Sequence, residues 1–130
     1  MNFKVTSILL YNSEGRFLLQ HRDKGIKNNA DKWSFFGGGV EEGESYLECV
    51  KREAMEELSY ELKNPKLVYE SDEGWFGSWR IFVEEYDGKQ ELILGEGQDW
   101  GWFTLEETKK LDMPDYIREK FEMLVRGFLD

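Results

Sequence analysis

The sequence contains little cysteine, few basic residues and no long hydrophobic run, and each shortage excludes a class of protein. Its single cysteine, Cys49, rules out a disulfide bond within the chain, which fits a reducing cytoplasm. No apolar run reaches the ~20 residues that a membrane-spanning helix needs, and the first residues lack the layout of a signal peptide. We therefore expect a soluble, cytoplasmic protein with no membrane partner.

The charge balance of the chain is strongly acidic. Its 17 Lys and Arg residues stand against 27 Asp and Glu residues, which gives a formal net charge of −10. A protein that coats nucleic acid gains its affinity from Lys and Arg side chains that neutralise phosphates, so a nucleic-acid polymer is not the expected partner. A small phosphorylated ligand is compatible with this charge, because divalent cations can bridge acidic side chains to an anion.

The apolar content predicts one folded domain over residues 1–130. Hydrophobic residues make up 40% and aromatic residues 15% of the 130-residue chain, which is sufficient for one core. Apolar runs bounded by turn residues predict strands, and amphipathic stretches predict helices. The predicted class is α/β or α+β, with a sheet flanked by helices. Strands are predicted at residues 4–11, 16–22, 33–36, 66–71, 79–86 and 99–105, and helices at residues 46–58 and 114–129.

The stretch GGGVEEGES, at residues 37–45, leads directly into the first predicted helix. Ser45 and Glu48 have the spacing of a capping box, in which each side chain bonds the backbone N–H of the other residue. The start of the helix is therefore well specified. On a helical projection, four apolar residues share one face and should pack inward. These residues are Leu47, Val50, Ala54 and Leu58.

Three glutamates of the same helix, Glu53, Glu56 and Glu57, lie together on an adjacent face. Like charges at this spacing cost roughly 0.2–0.5 kcal/mol per pair, and a hard divalent cation, which prefers oxygen ligands, would reverse that cost. Arg52 neighbours Glu53 and can orient its carboxylate. Taken alone, glutamates on a helix are usually a solvated surface, and a run of glycines is usually a flexible turn. Their combination at this spacing favours a metal-binding unit.

The spacing of these residues resembles the sequence signature of the Nudix hydrolase family. From Gly38, five residues lead to Glu44, seven more lead to Arg52-Glu53, and Glu56-Glu57 follow after two residues. Ser59 departs from the signature, because it stands where the family has glycine. If Ser59 adopts the left-handed conformation of that glycine, it carries a strain of about 1–2 kcal/mol.

The resemblance extends to MutT-type members, since Glu96-Gly97-Gln98 and Trp102-Phe103 are similar to segments of these proteins. It implies an α/β/α sandwich with a mixed sheet between helices. It also implies hydrolysis of a nucleoside diphosphate linked to another moiety, with Mg²⁺, or alternatively Mn²⁺, as cofactor. In MutT-type members a nucleoside triphosphate, oxidised forms such as 8-oxo-dGTP included, is cut to monophosphate and pyrophosphate. We expect a small nucleotide as the partner, and a monomer or a homodimer.

The resemblance implies a role for each residue of the signature. Either Glu53 or Glu96 would steer or deprotonate the attacking water. Arg52 would orient Glu53, and Glu44 together with Gly38 would fix the loop–helix unit. The implied metal ligands are Glu53, Glu56, Glu57, Glu96 and the backbone carbonyl of Gly37. The candidate substrate-binding residues are Arg22, Phe35, Gly37 and Gly38, with Trp75 and Phe76 at the pocket rim, although a core position is the stronger interpretation for Phe35.

A ligand from outside the helix is also expected on geometric grounds. Ligands on one helix cannot surround a cation, and Mg²⁺ requires near-octahedral oxygen coordination. Glu96 lies between Gly95 and Gly97, which permit an unusual backbone path, and Asp99 is the rival ligand. The sequence therefore predicts that the loop near residue 96 reaches the glutamates of the helix.

Three other functions stay open from the sequence. A nucleotide-sensing module without turnover would usually have lost some of the glutamates, and all of them are present here. Hydrolysis of nucleoside-diphosphate sugars stays open, because the contacts that select base, sugar and leaving group lie in variable loops. Hydrolysis of RNA 5′ ends is disfavoured by the net charge of −10 and by the lack of a basic stripe.

Overall fold

The computed structural model describes residues 3–26, 29–74 and 77–129 of the chain. The predicted helices and strands have counterparts in these ranges, except that the strand predicted at residues 33–36 is divided into two strands, and one additional short helix is present. The predicted rim residues Trp75 and Phe76 lie outside the described residues. The strands are β1 (Phe3–Tyr11), β2 (Phe17–His21), β3 (Trp33–Ser34), β4 (Phe36–Gly39), β5 (Lys66–Gly74), β6 (Gly77–Glu85) and β7 (Asp99–Phe103), and the helices are α1 (Tyr46–Leu58), α2 (Leu105–Thr108) and α3 (Asp115–Leu129).

The strands of the described ranges form one mixed sheet. Its main order is β3-β2-β1-β6-β5, while β4 pairs with β1 and β7 pairs with β2. β1 and β6 run parallel, with Ser7 opposite Ile81, and the remaining pairs are antiparallel. The predicted mixed sheet is therefore confirmed.

The sheet has a helix on each face. Successive residues of a strand point to opposite faces, and β1 accordingly places Leu9 in one hydrophobic cluster and Leu10 in the other. The first cluster contains Phe121 of α3, and the second contains Val50 and Leu58 of α1. The α/β/α sandwich is therefore confirmed. In the described part of the chain, no helix has the length and apolar character that crossing a membrane requires.

Helix α1 begins with the predicted capping box. The N–H of Glu48 donates to Ser45 Oγ at 3.0 Å, and the N–H of Ser45 donates to the Glu48 carboxylate at 2.9 Å. The inward orientation predicted for Leu47 is wrong, because this residue is 44% exposed. Tyr46 packs against the core instead, since it lies four residues before the buried Val50 and therefore on the same face of the helix.

The three glycines before α1 form strand β4 and are not a flexible turn. The single strand predicted at residues 33–36 is corrected, since β3 ends at Ser34 and β4 begins at Phe36. Strand β4 pairs antiparallel with β1, with Gly37 opposite Ser7. A glycine run has no side-chain periodicity that would reveal a strand, so only this pairing with a distant segment defines it. The pairing fixes the glycine backbone beside α1.

Helix α1 ends at Ser59 in the left-handed conformation, with φ 54° and ψ 34°. Its N–H donates to the carbonyl of Met55 at 3.0 Å, and the N–H of Tyr60 donates to the carbonyl of Ala54 at 3.3 Å. These two bonds satisfy carbonyls of the last turn, which have no partner inside the helix. Serine thus occupies the geometry for which glycine is the unstrained residue.

Candidate active site

Arg52 connects the acidic turn, strand β4 and helix α1. Its guanidinium makes a bidentate contact with Glu44, from Nε to Oε2 at 2.7 Å and from Nη2 to Oε1 at 3.0 Å. Nη2 also donates to the carbonyl of Gly39 at 3.0 Å. Nη1 donates to Glu53 at 3.0 Å and to Glu56 at 3.2 Å. The Arg52 side chain therefore orients Glu53, as predicted, and holds Glu56 as well.

The contact with Arg52 changes the titration of Glu44. The hydrogen bond from Arg52, followed by one from the backbone N–H of Glu41, lowers the pKa of Glu44 from 4.5 to about 2. In the opposite direction, the hydrogen bond to Glu44 raises the pKa of Arg52 above its already high ordinary value. Both groups stay charged near neutral pH, so the ion pair between them persists there.

Glu57 is a buried carboxyl beside other acidic groups. It is only 1% exposed, and its Oε1 accepts a hydrogen bond from the N–H of Gly37 at 3.1 Å. Burial raises the pKa of Glu57 far above its ordinary value, and the hydrogen bond and charge of Glu53, with the charge of Glu96, raise it further. The structure thus brings Glu53 and Glu57 into direct contact and Glu96 into electrostatic range, as predicted.

Two of the three glycines are required by close packing in this site. Gly37 has φ +148°, and a Cβ there would lie well under 3.0 Å from the carbonyl oxygen of Thr6. A Cβ on Gly38 would lie well under 3.0 Å from the carboxylate of Glu53. A Cβ on Gly39 would meet only the carbonyl oxygen of Lys4, at 4.0 Å. Gly38 therefore makes room for Glu53, while Gly39 has no comparable steric role.

The loop that carries Glu96 is bound to the C-terminal end of α1. The N–H of Ile93 donates to the carbonyl of Leu58 at 3.0 Å, and the N–H of Gly95 donates to the carbonyl of Glu57 at 2.8 Å. A Cβ on Gly95 would clash with the backbone of Glu56, which explains the glycine before Glu96. These contacts position Glu96 from outside the helix.

The acidic groups fit a hard divalent cation by their chemistry. Within the described ranges, no three His, Cys, Asp or Glu side chains already converge as a metal cage. Glu53 and Glu57 contact each other, whereas Glu56, predicted as a ligand, contacts Arg52. These side-chain donors are carboxylate oxygens, which Mg²⁺ prefers, and a cation would offset the cost of burying the Glu57 carboxylate beside Glu53.

A cleft of about 340 Å³ opens beside Glu96. The cleft brings Glu96 together with Arg22, the candidate substrate-binding residue. Phe35 is only 4% exposed and packs against Trp79 and Phe121 at ring distances of 6.3 Å, so its side chain belongs to the core and not to substrate binding. The cleft is lined by Gln20, Arg22, Asp23, Ile26, Glu96 and Gly97.

Gln98, for which the sequence predicted no role of its own, joins the two loops that border this cleft. Its Nε2 donates to Asp31 Oδ1 at 2.8 Å and to the carbonyl of Arg22 at 2.9 Å. Asp31 is also 2.9 Å from His21 Nε2, and the ring of His21 stacks on Trp33. The similarity of Glu96-Gly97-Gln98 to segments of MutT-type proteins was the available sequence signal, but the partners of Gln98 lie in a distant loop.

The family model described as "NUDIX domain" matches residues 1–123 of the chain. The chain belongs to the Nudix family. The glutamates of α1, Arg52 and Gly38 are therefore the Nudix signature in three dimensions, carried on a strand–turn–helix unit. The sequence resemblance to this family is confirmed.

Two curated Nudix relatives act on RNA according to their names. The chain is 38% identical over 95 residues to the NAD-capped RNA hydrolase NudC of Chromobacterium violaceum, covering 68% of this chain and 34% of that protein. It is 31% identical over 117 residues to the RNA pyrophosphohydrolase of a Psychrobacter species, covering 88% of this chain and 60% of that protein. The chain thus spans only part of the length of these relatives.

The fold has a close likeness among solved structures. The MutT protein from Methanosarcina mazei superimposes with a TM-score of 0.81 and 26% sequence identity, covering 99% of this chain and 96% of that one. A MutT protein from Bacillus halodurans superimposes with a TM-score of 0.70 and 27% identity, covering 95% and 82% of the two chains. The recognition of a MutT-type Nudix domain is confirmed.

Proposed function

We propose that this Nudix domain is a pyrophosphohydrolase that cleaves a nucleoside diphosphate linked to another moiety, with Mg²⁺, or Mn²⁺ in its place, as cofactor. The observation that carries the proposal is the contact between the carboxyls of Glu53 and Glu57, one held by Arg52 and the other buried. Arg52 supplies a positive charge to Glu53, and a divalent cation would offset the cost of burying the Glu57 carboxylate beside it. Glu56, Glu96 and the carbonyl of Gly37 complete the proposed ligand set.

The residues of the chain would prepare the attack of water on the pyrophosphate. A divalent cation held by these residues would neutralise the dense negative charge of a pyrophosphate. Glu53 or Glu96 would accept a proton from the attacking water, and Arg52 keeps Glu53 in one orientation by the hydrogen bond at 3.0 Å. Arg22, in the cleft beside Glu96, provides a positive charge for the substrate.

The proposed substrate is a nucleoside triphosphate, oxidised forms such as 8-oxo-dGTP included, and the proposed products are a monophosphate and pyrophosphate. The likeness to MutT structures supports this substrate class. The net charge of −10 also supports a small ligand over a nucleic-acid polymer. The cytoplasm, where such nucleotides occur, fits the single free cysteine.

A second candidate function is hydrolysis at RNA 5′ ends, including NAD caps. The names of the relatives from Chromobacterium violaceum and Psychrobacter favour it. The acidic surface opposes binding of a long RNA, but a cap or a terminal triphosphate presents the same pyrophosphate group to the site. The two candidate substrates therefore share the pyrophosphate group and differ in the part of the molecule that extends beyond the cleft.

A substrate panel with Mg²⁺ tests these candidates. The panel contains (deoxy)nucleoside triphosphates, oxidised nucleotides, nucleoside-diphosphate sugars, and short RNAs with a 5′-triphosphate or an NAD cap, and chromatography identifies the products. The proposal expects monophosphate and pyrophosphate from a triphosphate, with no reaction in EDTA. Faster cleavage of the RNAs would favour the second candidate. A folded protein that is inert across the panel would favour a nucleotide-sensing module.

A further inference from the structure

We propose that Gln20 is a specificity-determining residue, whose Oε1 accepts a hydrogen bond from an N–H or O–H group on the base or sugar of the substrate. This inference rests on the proposed function, because it places the substrate in the cleft beside Glu96. Gln20 lies on β2, is only 3% exposed, and nevertheless lines that cleft. A buried polar side chain at the floor of a cleft has a fixed orientation.

The orientation of the Gln20 amide follows from its one buried contact. Its Nε2 donates to the carbonyl oxygen of Phe35 at 2.8 Å. Because a carbonyl oxygen only accepts, the nitrogen must face Phe35 and the amide oxygen must point away. Oε1 accordingly points toward Gly97, where a Cβ would lie 3.1 Å from it. Gly97 also lines the cleft.

The Oε1 atom of Gln20 is available to a ligand. Among the described residues, no hydrogen-bond donor reaches it. The same residues contain no fully buried side-chain oxygen or nitrogen without a hydrogen-bond partner. Oε1 must therefore reach the surface, and the surface it meets is that of the cleft beside Gly97. The amide is an acceptor that is held rigidly on one side and open on the other.

The chemistry of the cleft selects a hydrogen-bond donor. Asp23 and Glu96 add carboxylates to the acceptor of Gln20, and Arg22 is the one cationic side chain in the described lining. An ionised phosphate oxygen cannot donate a hydrogen bond to Oε1, whereas the exocyclic amine of a base or a sugar hydroxyl can. A buried acceptor that loses its donor stays unpaired, so it discriminates against analogues without that donor.

Matched pairs of nucleotides with wild-type protein and Gln20→Met test this inference. The pairs differ by one donor: ATP and purine riboside triphosphate, GTP and ITP, and each ribonucleotide with its 2′-deoxy form. For one pair, loss of the donor should lower kcat/KM by roughly 10-fold to 100-fold in the wild type and hardly at all in Gln20→Met. Gln90→Met, which removes a glutamine outside the cleft, should keep the wild-type ratio. Equal ratios in wild type and Gln20→Met for every pair would overturn the proposal.

Binding to the wild-type protein separates this inference from the proposed function. Side-chain amide resonances of ¹⁵N-labelled protein are measured with and without the preferred nucleotide, which needs neither turnover nor a stable variant. A shift of the Gln20 amide that its donor-free analogue fails to produce would support the inference even if no compound is hydrolysed. Cleft resonances that shift while the Gln20 amide does not would overturn it. Absence of any binding would overturn both proposals.

Discussion

At the scale of the residue, Gly38 and Gly39 are neighbours in β4 with different steric surroundings. A methyl group on Gly38 must displace the carboxylate of Glu53, whereas one on Gly39 meets no atom closer than 4.0 Å. We expect Gly38→Ala to fold, since the displaced group is a side-chain end, but to lose about 100-fold in kcat through misplacement of Glu53. Gly39→Ala is the matched control and should keep the wild-type rate. Steady-state hydrolysis and melting temperatures check both, and equal rates would contradict the packing role of Gly38.

Ser59 is the second residue with a specific backbone consequence. Its left-handed conformation, with φ 54°, destabilises the folded state by about 1–2 kcal/mol for a serine. A glycine at this position would carry no such strain, so the folded state would gain stability. Part of this gain is lost because glycine makes the unfolded chain more flexible. We expect Ser59→Gly to raise the melting temperature by a few degrees. Differential scanning calorimetry measures the melting temperature, and an unchanged or lower value would refute the claim that Ser59 is strained.

At the scale of the element, Arg52 and Glu44 attach the acidic turn to α1. The pKa of Glu44 falls from 4.5 to about 2 in the fold, mainly through Arg52. A lowered carboxyl pKa contributes stability that is complete above about pH 4.5 and is lost as the pH falls toward 2. The melting temperature of the wild type should therefore be higher than that of Glu44→Gln at pH 7, and the difference between the two melting temperatures should be smaller at pH 3.

The control for this pH dependence is Glu42→Gln in the same turn. Glu42 has no hydrogen bond among the described residues, so its replacement should shift the melting temperature little at either pH. A gap between wild type and Glu44→Gln that stays constant from pH 7 to pH 3 would show that the ion pair does not stabilise the turn.

The loop after β6 is the second element of the site. Its bonds to the last carbonyls of α1 place Glu96 near Glu57, while Glu91 lies in the same loop outside the cleft. We expect Glu96→Gln to raise the Mg²⁺ concentration needed for half-maximal activity and to lower kcat. Glu91→Gln should change neither value. Magnesium titrations of both variants measure the difference, and equal, negligible effects would assign the missing ligand to another residue.

At the scale of the whole molecule, the elements with local signals were predictable. The capping box at Ser45, the left-handed position of Ser59 and the hairpin of β1 and β2 depend on residues close together in the chain. The capping box at Thr104 that begins α2 has the same local signal, Thr104 with Glu107, so the start of α2 was predictable as well. The glutamates of the site were found because their spacing on one helix fixes their relative positions.

The remaining features depend on contacts between distant segments. The glycines became a strand only by pairing with β1, about 30 residues away. Phe35 has the core position that the sequence favoured, but the division of the predicted strand into β3 and β4 on either side of it had no local signal. The orientations of the Gln20 and Gln98 side chains are likewise set by distant partners, the carbonyl of Phe35 and the carboxylate of Asp31. Sequence spacing therefore located the acidic centre of the site, and the tertiary fold determined the walls of the cleft.

The central claim is that the carboxyl group of Glu53 takes part in metal-dependent hydrolysis, and Glu53→Gln tests it most directly. The change removes one carboxylate and keeps the side-chain size, so the fold and melting temperature should be preserved. Turnover of the best substrate of the panel with Mg²⁺ should fall by about 100-fold or more. Glu119→Gln, on the exposed surface of α3 across the sheet, should leave turnover unchanged. Near-normal turnover by a well-folded Glu53→Gln protein would contradict the account.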